Sequence, residues 1–342
     1  MRMRPLLRIS FSKFWPNFDE KNNIFYRALS QDYDLVLADQ ADIAFYSVFP
    51  GKGPHPDAIK VSYTGEPVAP DLQNADCAFS FDYDEAVGRR SHLRLPLYTL
   101  STNIREFRSD WGGNLVKSVK RTPNAMERRK HFCAYVAFHD GFVRCLLFDR
   151  LNRKKPVTAP GRSRNNAPPI SMKDPERSRR SNDWQDAKRT YLRDFRFSIV
   201  CENTSYPGYT TEKLVDAMIA GCLPIYWGNP EVCRDFNTRS FVYVNTYEDE
   251  EAAKVPSWIK NRAGLYRLVW RYWVIPRAIG RVVKQVISID RNQERYRRIL
   301  EEPWFEGNQP NIYFDYNRFF SRVQEIAEMA IDRHSNDRRR TI

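Results

Sequence analysis

The sequence predicts an α/β protein built from two domains. Short apolar runs alternate with helical segments in two successive stretches of the chain, a rhythm typical of mostly parallel sheets. A length of 342 residues exceeds what most single cores hold. With 42% hydrophobic and 14% aromatic residues, the composition is that of a globular chain and excludes a disordered one.

The first domain is predicted from a series of short apolar runs that have the character of strands. In order they are LLRISFS, DLVLAD, IAFYSVF, IKVSYTG, CAFSFDY and LRLPLY. NNIFYRAL, between the first two, has the periodicity of an amphipathic helix. A polar, helix-like connection from Ser101 to Lys130 follows.

The second domain is predicted to begin with the strand HFCAYVAF. A helix from about Phe142 to Arg153 and a long loop rich in Pro, Arg and Asn come next. The strand FSIVC, the helix TEKLVDAMIAG and the strands CLPIYWG and SFVYVN continue the α/β pattern.

The charge of the chain indicates an anionic partner. The formal net charge is +13, which suits nucleic acid, an acidic membrane surface or a phosphorylated ligand. Charge alone does not choose among these three classes.

Cysteine usage favours a reducing compartment. The six cysteines lie apart, without a CxxC pair or metal-like spacing with the five histidines, and several fall in apolar runs as small core hydrophobes. The N-terminus MRMRPLLRISFSKFW lacks the long apolar core and cleavage site of a signal peptide. The sequence contains no uncharged apolar stretch of about 18 residues, so no membrane-spanning helix is predicted. The protein is therefore expected in the cytoplasm.

Residues 258–289 form a basic amphipathic segment without an acidic residue. Its cations are Lys260, Arg262, Arg267, Arg271, Arg277, Arg281 and Lys284. Apolar residues recur at helical spacing on both sides of Pro276, which is expected to kink or divide the helix. Two interpretations stay open: an interfacial helix, peripheral on the inner face of a membrane, or surface helices that pack on the core.

Two polar residues, Glu202 and Asn203, directly follow the strand FSIVC. This is the carboxyl end of a strand, where open α/β sheets bind their ligands. The helix after the turn SYPGY is predicted to have Thr210 or Thr211 as its N-cap and to stop at Gly221.

Glu212 and Lys213 fall in the first turn of that helix. A helix N-terminus presents free N–H groups and a partial positive charge that suit a phosphate, and a lysine adds a full charge for a diphosphate. Lys213 is unfavourable at this position unless an anion lies beside it. Ordinary first-turn capping is the alternative role for Glu212, and GYTTEK lacks the Walker pattern of an ATPase. The seam thus favours a phosphate and ribose site.

The segment ENTSYPGYTTEKLVDAMIAGCLPIYWGNP resembles the signature of the α1,3/4-fucosyltransferases, which use GDP-fucose. Its E-N-[ST], Tyr-x-x-Glu-Lys and A-G-x-x-P-I-Y-W-G elements have the family order and spacing. Weaker resemblance at YTGE, HFCAYVAF and RNN extends the region of resemblance to residues 58–250. Residues 258–289 lie outside this region and are expected to be an insertion or a divergent tail. The small polar pair of the family is replaced here by Phe138 and His139, which puts the donor contacts of that loop in question.

The resemblance implies a GT-B-like fold, with two facing Rossmann-like domains and a cleft between them. Tyr209, Glu212 and Lys213 are then expected to hold GDP, with the glutamate at the ribose and the lysine at the diphosphate. Asn203 is expected near the donor, and Arg144 is expected to grip its phosphates with its planar fork.

The resemblance also implies an inverting fucosyltransferase that moves L-fucose from GDP-fucose to a hydroxyl. The expected acceptor atom is O3 of N-acetylglucosamine or glucose, in a glycan such as N-acetyllactosamine. Glu66, in the segment YTGE, matches the general base of the family. No metal or other cofactor is expected, because Arg144, Lys213 and the helix dipole neutralise the departing diphosphate.

The predicted domains are 1–118 for the acceptor and the base, 119–257 for GDP-fucose, 258–290 as the basic segment, and 291–342 as helices with a charged tail. A glycan acceptor is expected, lipid-linked if the basic segment contacts a membrane. Nucleic acid is not an expected partner, since no binding module accompanies the charge. The alternatives are a GT-B glycosyltransferase with another donor, or a basic membrane- or nucleic-acid-binding protein.

Overall fold

Two parallel β-sheets organise the chain, and each belongs to its own unit. The computed structural model describes residues 4–100, 115–117, 129–170, 182–246 and 253–340. Unit 1 comprises Met1–Gly113 with Asn311–Ile342, and unit 2 comprises Asn114–Pro310. The connection predicted from Ser101 to Lys130, and the boundary at 118, lie outside the described residues except at 115–117 and 129–130.

Unit 1 contains a six-stranded parallel sheet in the spatial order β2-β1-β3-β4-β5-β6. Its strands are β1 (Leu6–Ser12), β2 (Asp34–Leu37), β3 (Ile43–Tyr46), β4 (Ile59–Tyr63), β5 (Cys77–Ser80) and β6 (His92–Arg94). The middle strands are buried almost throughout, as expected when helices cover both faces. Each strand overlaps an apolar run that predicts it.

Three short helices lie between or after these strands: α1 (Ile24–Leu29), α2 (Asp84–Val87) and α3 (Leu97–Leu100). Asn23 caps α1, because its side-chain oxygen accepts hydrogen bonds from the N–H groups of Phe25 and Tyr26. The apolar face of α1 is buried, which confirms the amphipathic helix predicted there.

Unit 2 contains a five-stranded parallel sheet in the order β11-β10-β9-β7-β8. Its strands are β7 (His131–Tyr135), β8 (Val157–Thr158), β9 (Phe195–Cys201), β10 (Leu223–Trp227) and β11 (Val242–Tyr243). β9 lies at the centre and is buried along nearly its whole length. All six cysteines of the chain are free and five are buried, as expected of small core hydrophobes.

Most of the helices in the described residues also belong to unit 2. They are α4 (Phe142–Asn152), α5 (Asn182–Leu192), α6 (Glu212–Ala220), α7 (Ser257–Lys260), α8 (Ala263–Val269), α9 (Ile275–Arg291) and α10 (Gln293–Glu301), with a π-helical turn at Trp270–Val274. The predicted stop of α6 is confirmed: Gly221 has φ +79°, the left-handed conformation that favours glycine.

The basic segment divides into two parts with different surroundings. Along α9 the apolar stripe, which includes Ile279 and Val286, is buried in the core of unit 2, so this part packs on the core. Before it, Trp258, Leu268 and Tyr272 are 58%, 55% and 67% exposed. The regular α-helical pattern is interrupted by the π turn at Trp270–Val274, which lies directly before Pro276, a residue that has no N–H to donate to the preceding turn.

The last helix, α11 (Tyr316–Arg340), packs in unit 1 on α1, β3 and β4. The ring of Phe319 lies 5.8 Å from the rings of Phe25 and Phe79, measured between centroids. Residues 311–342 therefore belong to unit 1, whereas the predicted division treated 291–342 as a separate region. The charged tail is helical as far as Arg340. In the described ranges, no helix has both the length and the apolar character to cross a bilayer.

Candidate active site

Glu202, at the carboxyl end of β9, is fully buried and ties this strand to the start of α6. Its Oε1 accepts a hydrogen bond from the N–H of Thr211 (2.8 Å), and its Oε2 accepts from the Thr211 hydroxyl (2.8 Å). Gly228 makes room for it, because a Cβ at that position would lie 2.4 Å from Cγ of Glu202. The glutamate of the E-N-[ST] element is therefore a structural anchor of the site.

Lys213 already has an anion of the protein beside it. Its Nζ lies 3.2 Å from Oε2 of Glu202 and donates to Oγ1 of Thr211 at 2.8 Å. Thr211 occupies the predicted N-cap position but makes no side-chain capping bond, because its hydroxyl is engaged by Glu202 and Lys213. The anion expected beside Lys213 is thus supplied by Glu202 of the protein itself.

Glu212 and Lys213 are ionised neighbours at the helix start, with their nearest charged atoms 3.8 Å apart. Burial opposes ionisation of Glu212, but the ammonium groups of Lys213 and Lys188 outweigh it and hold the pKa of Glu212 below its usual value. Burial likewise opposes the charge of Lys213, and Glu202 and Glu212 raise its pKa above the ordinary value. Both side chains are about one-quarter exposed, so they remain accessible to a ligand.

Arg144, in the first turn of α4, is a buried cation without a carboxylate partner among the described residues. Its guanidinium donates to the carbonyl of Glu202 (2.6 Å), to Oδ1 of Asn203 (3.1 Å) and to the carbonyl of His139 (3.2 Å). All three acceptors are neutral. Because a buried charge is costly unless it is paired, this arrangement favours an external anion.

A second cationic cluster escaped prediction. Asp216, fully buried on α6, accepts from Nζ of Lys188 (2.9 Å) and from Nε of Arg189 (2.7 Å), both on α5. Asp216 thus holds a cation from each of two neighbouring positions of α5 beside the start of α6. The available signal was the acid itself, since an aspartate within the apolar run LVDAM needs a buried partner.

Two cavities open beside these residues, and both are lined by Arg144 and Asn203. The smaller cavity, about 180 Å³, is also lined by Lys188, Lys213 and residues 138–139. The larger cavity has a volume of about 280 Å³. Three cations around the smaller cavity suit a polyanion such as a diphosphate.

The remaining predicted residues lie elsewhere. Tyr209 is 2% exposed and is not among the residues that line either cavity. Glu66 belongs to unit 1, half-buried in the loop after β4, where its N–H donates to Oγ1 of Thr64 at 3.2 Å. Their expected roles, like those of the other predicted site residues, stay predictions. No cluster of three or more His, Cys, Asp or Glu suited to a metal occurs within the described residues.

Two family models match the chain. Residues 9–101 match the N-terminal domain of α-(1,3)-fucosyltransferase FucT, and residues 126–273 match the C-terminal part of glycosyltransferase family 10, the fucosyltransferases. The chain belongs to glycosyltransferase family 10. The second match runs past the expected limit at residue 250 and its span includes residues 258–273 of the basic segment.

Relatives of this family 10 protein include an α-(1,3)-fucosyltransferase of Helicobacter pylori, 28% identical over 73% of this chain and 56% of its own length. A protein of Acanthamoeba polyphaga mimivirus, named as a fucosyltransferase, is 24% identical to this chain. The match covers 96% of this chain and 49% of the length of the viral protein. The chain thus spans about half the length of the curated relatives it matches.

Solved structures show the same fold. An α1,3-fucosyltransferase crystallised with GDP matches with a TM-score of 0.65 at 23% identity, covering 97% of this chain and 92% of that chain. The structure with GDP-fucose matches with a TM-score of 0.62 at 23% identity, over 96% and 91%. With the parallel sheets described above, this likeness confirms the predicted GT-B-like α/β fold.

Proposed function

We propose that this family 10 protein transfers L-fucose from GDP-fucose to a sugar hydroxyl in a glycan acceptor. The observation that carries the proposal is Arg144, a buried guanidinium at a cavity whose protein partners are all neutral. A diphosphate supplies the missing anion and can accept two parallel hydrogen bonds from the guanidinium fork. The family match and the α1,3-fucosyltransferase of Helicobacter pylori support fucose as the sugar.

The donor contacts follow from the residues around the smaller cavity. Arg144 and Lys213 are assigned to the diphosphate, and Asn203 lies beside Arg144 at hydrogen-bonding distance. Glu212, with its pKa held low and its carboxylate accessible, is assigned to the ribose hydroxyls. Tyr209, buried in the segment before α6, is assigned a supporting role at the GDP site.

The chemistry proposed is an inverting displacement at the anomeric carbon of fucose. The acceptor oxygen, O3 of N-acetylglucosamine or glucose, forms a bond to the anomeric carbon. At the same time the bond between the anomeric carbon and the β-phosphate oxygen of GDP breaks. Glu66 takes the proton of the acceptor hydroxyl. The electron pair leaves with GDP, whose developing charge Arg144 and Lys213 stabilise. These cations let the scheme run without a metal cofactor.

The assignment of Arg144 to the diphosphate is tested by the substitution Arg144→Gln. We expect kcat/KM for GDP-fucose to fall by roughly a hundredfold, because a charged hydrogen-bond donor to the phosphates is lost. Arg193→Gln, an exposed arginine of the same unit, makes the same change of charge and serves as control. Equal activity of the two variants would refute the role of Arg144.

The donor and acceptor are identified in two steps. Thermal unfolding with a panel of nucleotide sugars should show the largest stabilisation with GDP-fucose, since only a ligand of the folded state raises Tm strongly. NMR of the product from lactose, N-acetyllactosamine and type 1 acceptors then gives the linkage, expected to be α1,3 rather than α1,4. A stronger shift with another nucleotide sugar would favour the alternative donor.

Membrane contact is proposed only for the exposed part of the basic segment, residues 258–273. Its basic and aromatic side chains, Trp258 and Tyr272 among them, suit an anionic interface, and a lipid-linked acceptor would profit from it. Replacement of Trp258, Leu268 and Tyr272 by Ser should reduce sedimentation with vesicles that contain anionic lipid. Unchanged sedimentation would rule out this contact.

A further inference from the structure

The larger cavity has a wall that the proposed donor contacts do not use. It is formed by the exposed part of the basic segment, with Arg267 on α8 and Trp270 and Arg271 in the π turn. Arg144 and Asn203 are the two lining residues that this cavity shares with the smaller one. Lys188 and Lys213 line only the smaller cavity. The two cavities therefore carry separate sets of cations on either side of one shared arginine.

The two arginines of this wall carry charge that the described protein does not neutralise. Neither Arg267 nor Arg271 forms an ion pair within the described ranges, and residues 258–289 include no acid. Like charges one helical turn apart repel each other. Both arginines are exposed, so water solvates their charge. It is their convergence with Arg144 on one cavity, in a stretch without acids, that favours an anionic ligand there.

Hydrogen bonds and a cation–π contact hold this wall in a defined position. The indole N–H groups of Trp270 and Trp227 both donate to Thr246, to its carbonyl at 3.1 Å and to its hydroxyl at 3.2 Å. The guanidinium carbon of Arg271 lies 4.5 Å from the ring centroid of Phe142, a cation–π contact that orients the fork. π turns within helices occur often at functional sites.

We propose that Arg267 and Arg271 form a second anion-binding subsite, next to Arg144, which takes a phosphate or carboxylate group. If the proposed function holds, this group has two sources: the diphosphate of the donor, or an acidic substituent of the acceptor. Arginine suits both because its planar fork matches carboxylate and phosphate oxygens. The subsite would make part of the basic segment a determinant of substrate choice.

The first arm of the test measures nucleotide binding by calorimetry, with GDP, GMP and guanosine as probes. The double variant Arg267→Gln with Arg271→Gln is compared with Arg262→Gln, an exposed arginine of the same segment outside the cavity lining. If the donor fills the subsite, the double variant binds GDP roughly tenfold more weakly or worse, while guanosine affinity is unchanged. The variant with both arginines replaced by Lys should recover part of this loss, since charge is retained.

The second arm measures acceptor KM for N-acetyllactosamine and for the same disaccharide extended by a sugar that bears a carboxylate. If the acceptor fills the subsite, the double variant raises KM for the acidic acceptor roughly tenfold and leaves that for the neutral one unchanged. The proposal is overturned if both arms stay within twofold of the Arg262→Gln control.

Two measurements keep these outcomes distinct. Tm of each variant reports folding, and the single variant Arg267→Gln, which disturbs no cation–π contact shown here, replaces the double variant if the latter is unstable. A wild-type protein that binds GDP but transfers no fucose would refute the proposed function, while the GDP arm would still test the subsite.

Discussion

The carboxyl ends of the two sheets differ in chemistry although both sheets are parallel. In unit 2 they carry charge: Arg144 and Lys213 lie around a cavity with Glu202 buried among them. In unit 1 the loop after β1 carries aromatic rings instead. Phe14 lies 4.1 Å from Phe18 and 6.2 Å from Tyr63, measured between ring centroids.

This difference teaches how one sheet architecture can serve two kinds of ligand. Cations suit phosphates, and half-buried aromatic rings suit the apolar faces of uncharged sugars. The aromatic loop also contains two non-glycine residues in the left-handed region, Lys13 (φ +55°) and Asn17 (φ +61°). Such backbone strain is found more often at functional sites. Unit 1 thus fits the acceptor and unit 2 the donor of the proposed reaction.

The largest expected effect concerns Glu66, the single carboxylate assigned to chemistry in unit 1. Glu66→Gln should lower kcat by about 10²–10⁴-fold, because the general base is lost while the side-chain shape is kept. GDP affinity should not change, since the proposed donor contacts lie in unit 2. Glu20→Gln, an exposed glutamate of the same unit, is the control. Loss of GDP affinity in Glu66→Gln would break the division between the units.

Glu202 should matter for stability more than any other carboxylate at the unit 2 edge. Glu202→Gln leaves Lys213 and Thr211 without their buried anion, so we expect a loss of about 3 kcal/mol in the free energy of unfolding. Urea unfolding measures it. Glu212→Gln, on the accessible side of the same lysine, should cost about 1 kcal/mol or less. Similar losses for both would show that Glu202 is not the anchor.

A smaller effect is expected from the aromatic loop. Trp15 contacts the rings of Phe14, Phe18 and Phe49, and Trp15→Ala should raise acceptor KM roughly tenfold. Hydrolysis of GDP-fucose without acceptor should be unchanged, because it needs only the donor site. Trp258→Ala removes an exposed indole of unit 2 and is the control. A change in donor hydrolysis with unaltered acceptor KM would contradict the assignment of the two edges.

The smallest effect is the pH dependence that Glu212 contributes. Its pKa lies below the ordinary value of 4.5 in the folded protein, so its stabilisation is complete above that value and is lost as pH falls through the lowered pKa. In the acid range below about pH 4.5, wild type should therefore lose stability more steeply than Glu212→Gln, whereas above it the two should run in parallel. Urea midpoints across this range give the slopes. Parallel slopes would show that the nearby lysines do not act on Glu212.

Much of the fold followed from local patterns. The buried runs that predict β3, β4 and β9 are strands because parallel strands covered on both faces read as continuous apolar stretches. The same holds for Gly221, where the end of α6 needs a positive φ. Local patterns failed for α11, whose amphipathic face does not state which sheet it covers.

The site divides in the same way. The sequence predicted a charged seam at Glu202 and Lys213, but not that Glu202 would be the anion beside that lysine. Lys188 escaped notice because its partner, Asp216, lies on another helix. The sequence likewise could not decide whether the basic segment packs on the core or lies on a membrane, because a buried stripe and a membrane-facing stripe have the same periodicity.

By itself, the sequence determined the alternation of strands and helices, the polar seam after β9 and the family signature, because all three are written in residues close together along the chain. The tertiary structure decided which charges neutralise each other and which remain for a ligand. Arg144 lines one cavity with Arg267 and Arg271 although a long stretch of chain separates it from these two arginines. Electrostatic energy depends on distance in space and on burial, and neither is a property of a short segment of sequence.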